Sequence, residues 1–157
     1  KIQWDIDEEE YKIKEEYIPS MHTDITISKN NKVKIVDAKF YSHILSNKGF
    51  NGYDKVSINR DNWYQLFSYI MNKKWNIEKK NKEAEISGML LYASTGKEFD
   101  EFNVEVKIHG HKMQVKVIDF TREFGDPETA KIEDKTIAGQ MKKIAEEIYE
   151  ELKWNKC

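Results

Sequence analysis

Two runs rich in β-branched residues, Thr23 to Ser28 and Val33 to Phe40, flank the polar stretch Lys29-Asn30-Asn31-Lys32. That pattern predicts a β-hairpin, with the asparagines and lysines supplying the turn. Side chains two apart on a strand share a face. Asp37 and Lys39 therefore point to one side of the return strand, and Val36 and Ala38 to the other. With the turn centred on Asn30-Asn31, Asp24 at the start of the first strand falls within reach of Asp37. Two carboxylates and one ammonium are thus expected to converge at one end of a sheet.

The remaining pattern supplies the elements around this hairpin. Lys1 to Ile18 places Trp4, Ile6, Tyr11, Ile13 and Tyr17 mostly in twos, predicting one or two flanking strands with a turn at Asp7 to Glu10. The glutamates of that turn read as a solvated face, and Glu15 or Glu16 could be an additional metal ligand. Tyr41 to Asn59, with Gly49 and Gly52 among polar residues, predicts a loop of unusual length. From Asp61 to about Asn76, Trp63, Leu66, Phe67, Ile70 and Met71 form an apolar stripe at helical spacing, with Asp61 as N-cap. Gln65 and Tyr69, four apart, share a flank of that stripe. A lysine-rich connector leads to Ile86–Ala93, whose continuous apolar run marks a strand covered on both faces. Phe102 to Ile108 and Lys112 to Phe120 predict a hairpin turning at His109-Gly110-His111. Thr121 to Glu133 is a loop holding Pro127. Asp134 begins a final helix, with Ile137, Met141, Ile144, Ile148 and Leu152 along one side. The expected fold class is α/β: a mixed central sheet of five or six strands flanked by helices.

Composition narrows the class. The 157 residues suit one domain with a core of its own, here taken as 1–157. No apolar run approaches the length of a membrane span. Cys157 is the only cysteine, which excludes an intrachain disulfide and suggests a cytoplasmic setting. The chain begins at lysine, so it is expected to be the C-terminal part of a longer protein. Charge is uneven: Lys29 to Lys82 carries twelve basic residues against four acidic ones, net +8, in a chain of net −2. A positive surface beside a cation site suits a phosphate-backbone ligand. Lys48, Lys55, Arg60 and Lys73 are the candidate phosphate contacts, and Tyr41, Phe50 and Tyr53 the candidate stacking residues.

The chemistry of the trio follows from its donors. Two close carboxylates repel unless a cation lies between them, and hard all-oxygen sites suit Mg²⁺ or Mn²⁺. The backbone carbonyl of Ala38 supplies a further ligand. Lys39 would stabilise the attacking water or neutralise charge on phosphoryl oxygens. His22, on the face of Asp24, reads as structural. His109 and His111, without a cysteine or third histidine nearby, do not make a zinc site.

The spacing Asp24 to Asp37-Ala38-Lys39 resembles the PD-(D/E)xK nucleases, and Gln65-x-x-x-Tyr69 resembles the helix signature of their RecB-like branch. Together with Pro19-Ser-Met-His-Thr-Asp24-Ile, Ile35-Val-Asp37-Ala-Lys39-Phe-Tyr and Gly88-Met-Leu-Leu-Tyr92, from about Tyr17 to Ala93, they resemble the nuclease half of the McrC family. Members of that family are cleavage subunits of McrBC modification-dependent restriction systems. The resemblance implies a restriction-endonuclease-like fold, with Asp24 and Asp37 as metal ligands, Lys39 catalytic, and Gln65 and Tyr69 supporting the site or touching DNA. It implies Mg²⁺ as cofactor, modified double-stranded DNA as substrate, and an McrB-like AAA+ GTPase hexamer as partner. The family's motor-engaging N-terminal region, and the helix that in related nucleases supplies a metal-binding glutamate, are expected upstream of Lys1. Two other classes compete: a catalytically silent DNA-binding or scaffold module on the same fold, and a stand-alone RecB-like exonuclease.

Overall fold

The structure is a computed structural model and describes residues 20–40, 45–47, 56–78, 84–94 and 103–153. Strand β1 (Ile25–Lys29) turns at Asn30, whose φ of 55° asparagine tolerates, into β2 (Lys32–Phe40). The two short strands β3 (Leu45–Asn47) and β4 (Val56–Ile58) pair antiparallel in a sheet of their own. Helix α1 (Arg60–Glu78) leads to β5 (Glu85–Ser94), followed by the hairpin β6 (Val104–Ile108) and β7 (His111–Asp119), and finally α2 (Ile137–Leu152). The main sheet has the order β1-β2-β5-β7-β6. Its three central strands β2, β5 and β7 run parallel, and each edge strand is antiparallel to its neighbour. This five-stranded mixed α/β sheet, flanked by two helices, is compatible with a restriction-endonuclease-like fold.

Strand parity sorts the core into two layers. Val33 and Ile35 of β2, Ile86, Leu90 and Tyr92 of β5, and Met113 and Val115 of β7 pack with Leu66, Tyr69 and Ile70 of α1. The alternate positions, Val36, Met89 and Ile118, pack with Ile137, Ile144, Ile148 and Leu152 of α2. Gly88 lies under α1, and a Cβ there would come within 2.7 Å of Ile70 Cδ1 and 2.9 Å of Leu66 Cδ1. Its missing side chain sets the helix-to-sheet spacing. The β6–β7 turn uses His109 (φ 48°) and Gly110 (φ 83°), both left-handed as a two-residue hairpin of this kind requires.

Several expectations are corrected. The segment after Tyr41 contains the paired strands β3 and β4 rather than only a loop. Helix α1 continues to Glu78 through what looked like connector, where Asn72 and Asn76 send side-chain N–H groups back to the carbonyls of Ser68 and Asn72. Its cap is Asn59, not Asp61: Asn59 Oδ1 accepts from the Asp61 amide at 2.9 Å. Helix α2 starts after Thr136, whose hydroxyl accepts from Gly139 N, not at Asp134. Met71 and Met141, assigned to apolar stripes, are 38% and 49% exposed. Met71 sits at the edge of its stripe, where helix rotation leaves it in solvent, whereas Met141 lies within the α2 stripe and nothing in the structure explains its exposure. The strands expected in Lys1 to Ile18 lie outside the described residues. No helix among those described is long and apolar enough to cross a membrane.

The Asn59 cap gives a direct check. Asn59→Ala removes the acceptor for an otherwise orphaned amide, and is expected to cost about 1 kcal/mol of stability. Chemical denaturation would show it as a lower midpoint at an unchanged slope.

Candidate active site at the carboxyl end of strand β2

The hairpin register decides where the acids meet. Ile25 pairs with Val36, so continuing the ladder by one residue sets Asp24, just before β1, opposite Asp37. Asp24 fixes this end of the hairpin itself, its Oδ2 accepting from the Ala38 amide at 2.7 Å. Amide and carbonyl of one strand residue face the same edge, so the Ala38 carbonyl also stands on the Asp24 side. Asp37 and Lys39 share the α1 face, as their spacing of two requires. This is the carboxyl end of the parallel strands, where open α/β sheets place ligands.

Asp37 is 3% exposed, and Lys39 Nζ lies 2.8 Å from its Oδ2. This close ion pair is the main contact of Oδ2 among the described residues. Burial pushes the Asp37 carboxyl above its ordinary pKa, and the facing Asp24 pushes the same way; Lys39 opposes both without prevailing. A carboxylate that burial and the Asp24 charge keep from ionising easily, beside that second carboxylate and a backbone carbonyl, fits a small hard divalent cation. Among the described residues no group of three or more His, Cys, Asp and Glu is assembled. Among the described residues, the oxygens at this sheet end that could hold one are those of Asp24, Asp37 and Ala38 O.

Helix α1 closes the site from the other side. Gln65 Oε1 accepts from Lys39 Nζ at 2.8 Å, and Gln65 Nε2 donates to the Tyr69 hydroxyl at 2.8 Å. The tyrosine thereby fixes which end of the amide meets the lysine. Tyr69 is buried in the core and not merely beside the stripe. Its phenol is pushed above its usual pKa, first by burial and then by the Asp37 charge, and stays protonated. Asp24, Asp37, Lys39, Gln65 and Tyr69 thus form one connected cluster drawn from β1, β2 and α1.

The other predicted residues that the structure describes, Arg60 and Lys73, do not join it. Lys48 and Lys55, with Tyr41, Phe50, Tyr53, Glu15 and Glu16, lie outside the described residues. Arg60 is exposed, with Nε 3.8 Å from Asp61. Lys73 lies thirteen positions beyond Arg60 on α1, partly covered. His22 is exposed. His111 is buried, its Nδ1 2.9 Å from Ile86 O, and His109 lies 5.8 Å from the Phe67 ring.

The basic surplus also divides. Lys29 lies over the Tyr149 ring, Lys32 donates to the carbonyls of Glu151 and Lys153, and Lys34 is fully buried. These three serve the fold on the α2 side and do not line the site. One polar residue near the site was not singled out from sequence: Asn62, which donates to the hydroxyl of Tyr92 at 3.0 Å in the core. The available signal was a polar residue one helical turn before Gln65, on a face otherwise apolar.

No family model matches the chain. The chain is 40% identical over 75 residues to the type IV methyl-directed restriction enzyme EcoKMcrBC of Escherichia coli (strain K12). The alignment takes in 48% of this chain and 19% of that protein, so the matched stretch spans about a fifth of the relative's length.

Proposed function

We propose that this chain is a Mg²⁺-dependent DNA endonuclease domain, the cleavage part of an McrBC-like restriction system. One observation carries the proposal: Asp24, Asp37 and Lys39 meet at one sheet end, and Gln65 from α1 holds the lysine there. The similarity to a restriction enzyme supports it, as does a fold compatible with restriction endonucleases. Modified double-stranded DNA as substrate, and an McrB-like AAA+ GTPase as partner, belong to the same proposal.

Each residue then has a task that its position allows. Asp24 and Asp37 supply negative oxygens on adjacent strands, with the Ala38 carbonyl beside them, and would hold the cation. When bound, Mg²⁺ supplies charge for the phosphoryl oxygens and acidifies water. Lys39 would place its ammonium where charge develops on the scissile phosphate. Gln65 accepts from that ammonium without neutralising it. Tyr69, kept protonated, holds Gln65 in the accepting orientation.

The test is cleavage of methylated and unmethylated plasmid DNA with Mg²⁺, with and without a GTPase partner. Lys39→Ala is expected to lower the cleavage rate by about 10²-fold, the scale for loss of one preorganised charge partner. A Lys39→Ala chain cutting at the wild-type rate would remove the site assignment. DNA binding without cleavage under every condition would leave a binding module instead, and degradation confined to free ends an exonuclease.

A further inference from the structure

The site depends on α1 delivering Gln65 to Lys39, and apolar packing alone does not fix how a helix is rotated on a sheet. Gly88 lets α1 approach β5 closely through Leu66 and Ile70. That contact sets a distance, but leaves rotation and sliding loosely held, because dispersion and burial are not directional. A hydrogen bond is directional. One lies at the end of α1 that carries Gln65: Asn62 Nδ2 to the Tyr92 hydroxyl, 3.0 Å, with both residues buried. Asn62 is one turn before Gln65, so the two side chains stand on neighbouring positions of one face. Tyr92 is paired with Lys39 in the β2–β5 ladder. The bond therefore ties the Gln65 turn of α1 to the strand position adjoining Lys39.

We infer that Asn62 and Tyr92 are positioning residues for Lys39, acting through α1 and Gln65; the role in cleavage rests on the nuclease proposal above. A buried amide–phenol pair adds little net stability over an apolar pair of the same shape. What it supplies is a single helix orientation. Lost, it lets Gln65 drift from the lysine, and misplacement on the ångström scale costs up to about 10²-fold in rate.

Tyr92→Phe keeps the ring and removes the hydroxyl; Asn62→Ala removes the donor from the helix side and serves should the first variant fold poorly. Thr136→Ala, which uncaps α2 on the opposite layer, controls for general loss of stability. Two readouts are taken on each chain: the kcat and KM of Mg²⁺-dependent plasmid cleavage, and the ¹⁵Nζ ammonium resonance of Lys39, assigned by its loss in Lys39→Arg. Tyr92→Phe is expected to lower kcat by about tenfold to 10²-fold with KM unchanged, and to shift or broaden the Lys39 resonance, while Thr136→Ala changes neither. Wild-type kcat together with a wild-type Lys39 resonance in Tyr92→Phe would overturn the inference, as would equal effects in Thr136→Ala. If Asp37→Asn cuts as fast as wild type, the nuclease proposal falls instead. The ammonium resonance then still decides whether Tyr92 positions Lys39.

Discussion

Asp37→Asn is expected to abolish cleavage, on the order of 10³-fold or more, and at the same time to make the metal-free chain more stable at neutral pH. The second half follows from the burial of the carboxyl group. Its surroundings raise the Asp37 pKa above the ordinary 3.8, burial first and the Asp24 charge in addition, against the pull of Lys39. Between 3.8 and the higher folded value, the folded chain binds more protons than the unfolded one. Stability therefore falls as pH rises through that window and remains at the lower level at pH 7. Asparagine cannot ionise, so the variant escapes this loss. Lys39 gives up a counter-ion but keeps Gln65 as an acceptor. Thermal unfolding should show a higher Tm for the variant at pH 7, with the difference closing below pH 3.8. Adding Mg²⁺ or Mn²⁺ should raise the wild-type Tm by linkage and leave the variant's unmoved. A less stable variant at pH 7, or equal responses to the cation, would contradict the account.

That site was legible because it rests on short-range rules. A period of two puts Asp37 and Lys39 on one face, a turn at Asn30-Asn31 brings Asp24 opposite, and a spacing of four stacks Gln65 against Tyr69. Each relation spans few residues or follows from one hairpin register. The Lys39–Gln65 contact is longer in range, and the sequence suggested it only through the resemblance of the two motifs taken together. What escaped depends on competition between neighbours. Asn59 and Asp61 are both good caps, and the backbone chose the earlier. Asn72 and Asn76 stand where the lysine-rich connector begins to dilute the apolar stripe, yet their side chains bond back along the helix and carry it to Glu78. Met71 fits a periodic stripe, but the rotation of α1 on the sheet decides which edge of the stripe is buried. Lys34 was counted with a basic surface because local pattern cannot show that its face of the strand is covered by partners 80 and 117 residues away.

Those distant partners set the largest expected loss of stability. Lys34, with no exposed surface, donates to Gln114 Oε1 at 2.5 Å and to both oxygens of Glu151 at 3.0 Å. Glu151 also accepts from Ser87 at 2.6 Å and lies 3.5 Å from Lys112, which in turn meets Glu105 at 3.0 Å. The last turn of α2 is thus bound to β2, β5 and β7 through one carboxylate. The pair is unevenly matched. Burial lowers the Lys34 pKa despite Glu151, whereas the burial of Glu151 is outweighed by Ser87, Lys34 and Lys112, leaving its pKa below the usual 4.5. Lys34 is the costly member, and Glu151 is what makes its charge tolerable. Glu151→Ala leaves that ammonium buried with only an amide acceptor, and breaking such a pair from one side costs about 3 kcal/mol or more. Partial exposure of the Glu151 side chain, 19%, sets the expectation at the lower end of that range. Lys34→Met combined with Glu151→Leu replaces both charges with apolar bulk and should recover most of the loss, since a matched apolar pair avoids the desolvation. Acid supplies an independent check. A carboxyl whose folded pKa is depressed contributes stability that is complete above 4.5 and is lost as pH falls through the folded value. Urea titrations from pH 7 to pH 3 should therefore show the wild-type advantage over Glu151→Ala shrinking with acid. An advantage that stays constant over that range would mean that α2 is held by its apolar face alone, and that the carboxylate is incidental.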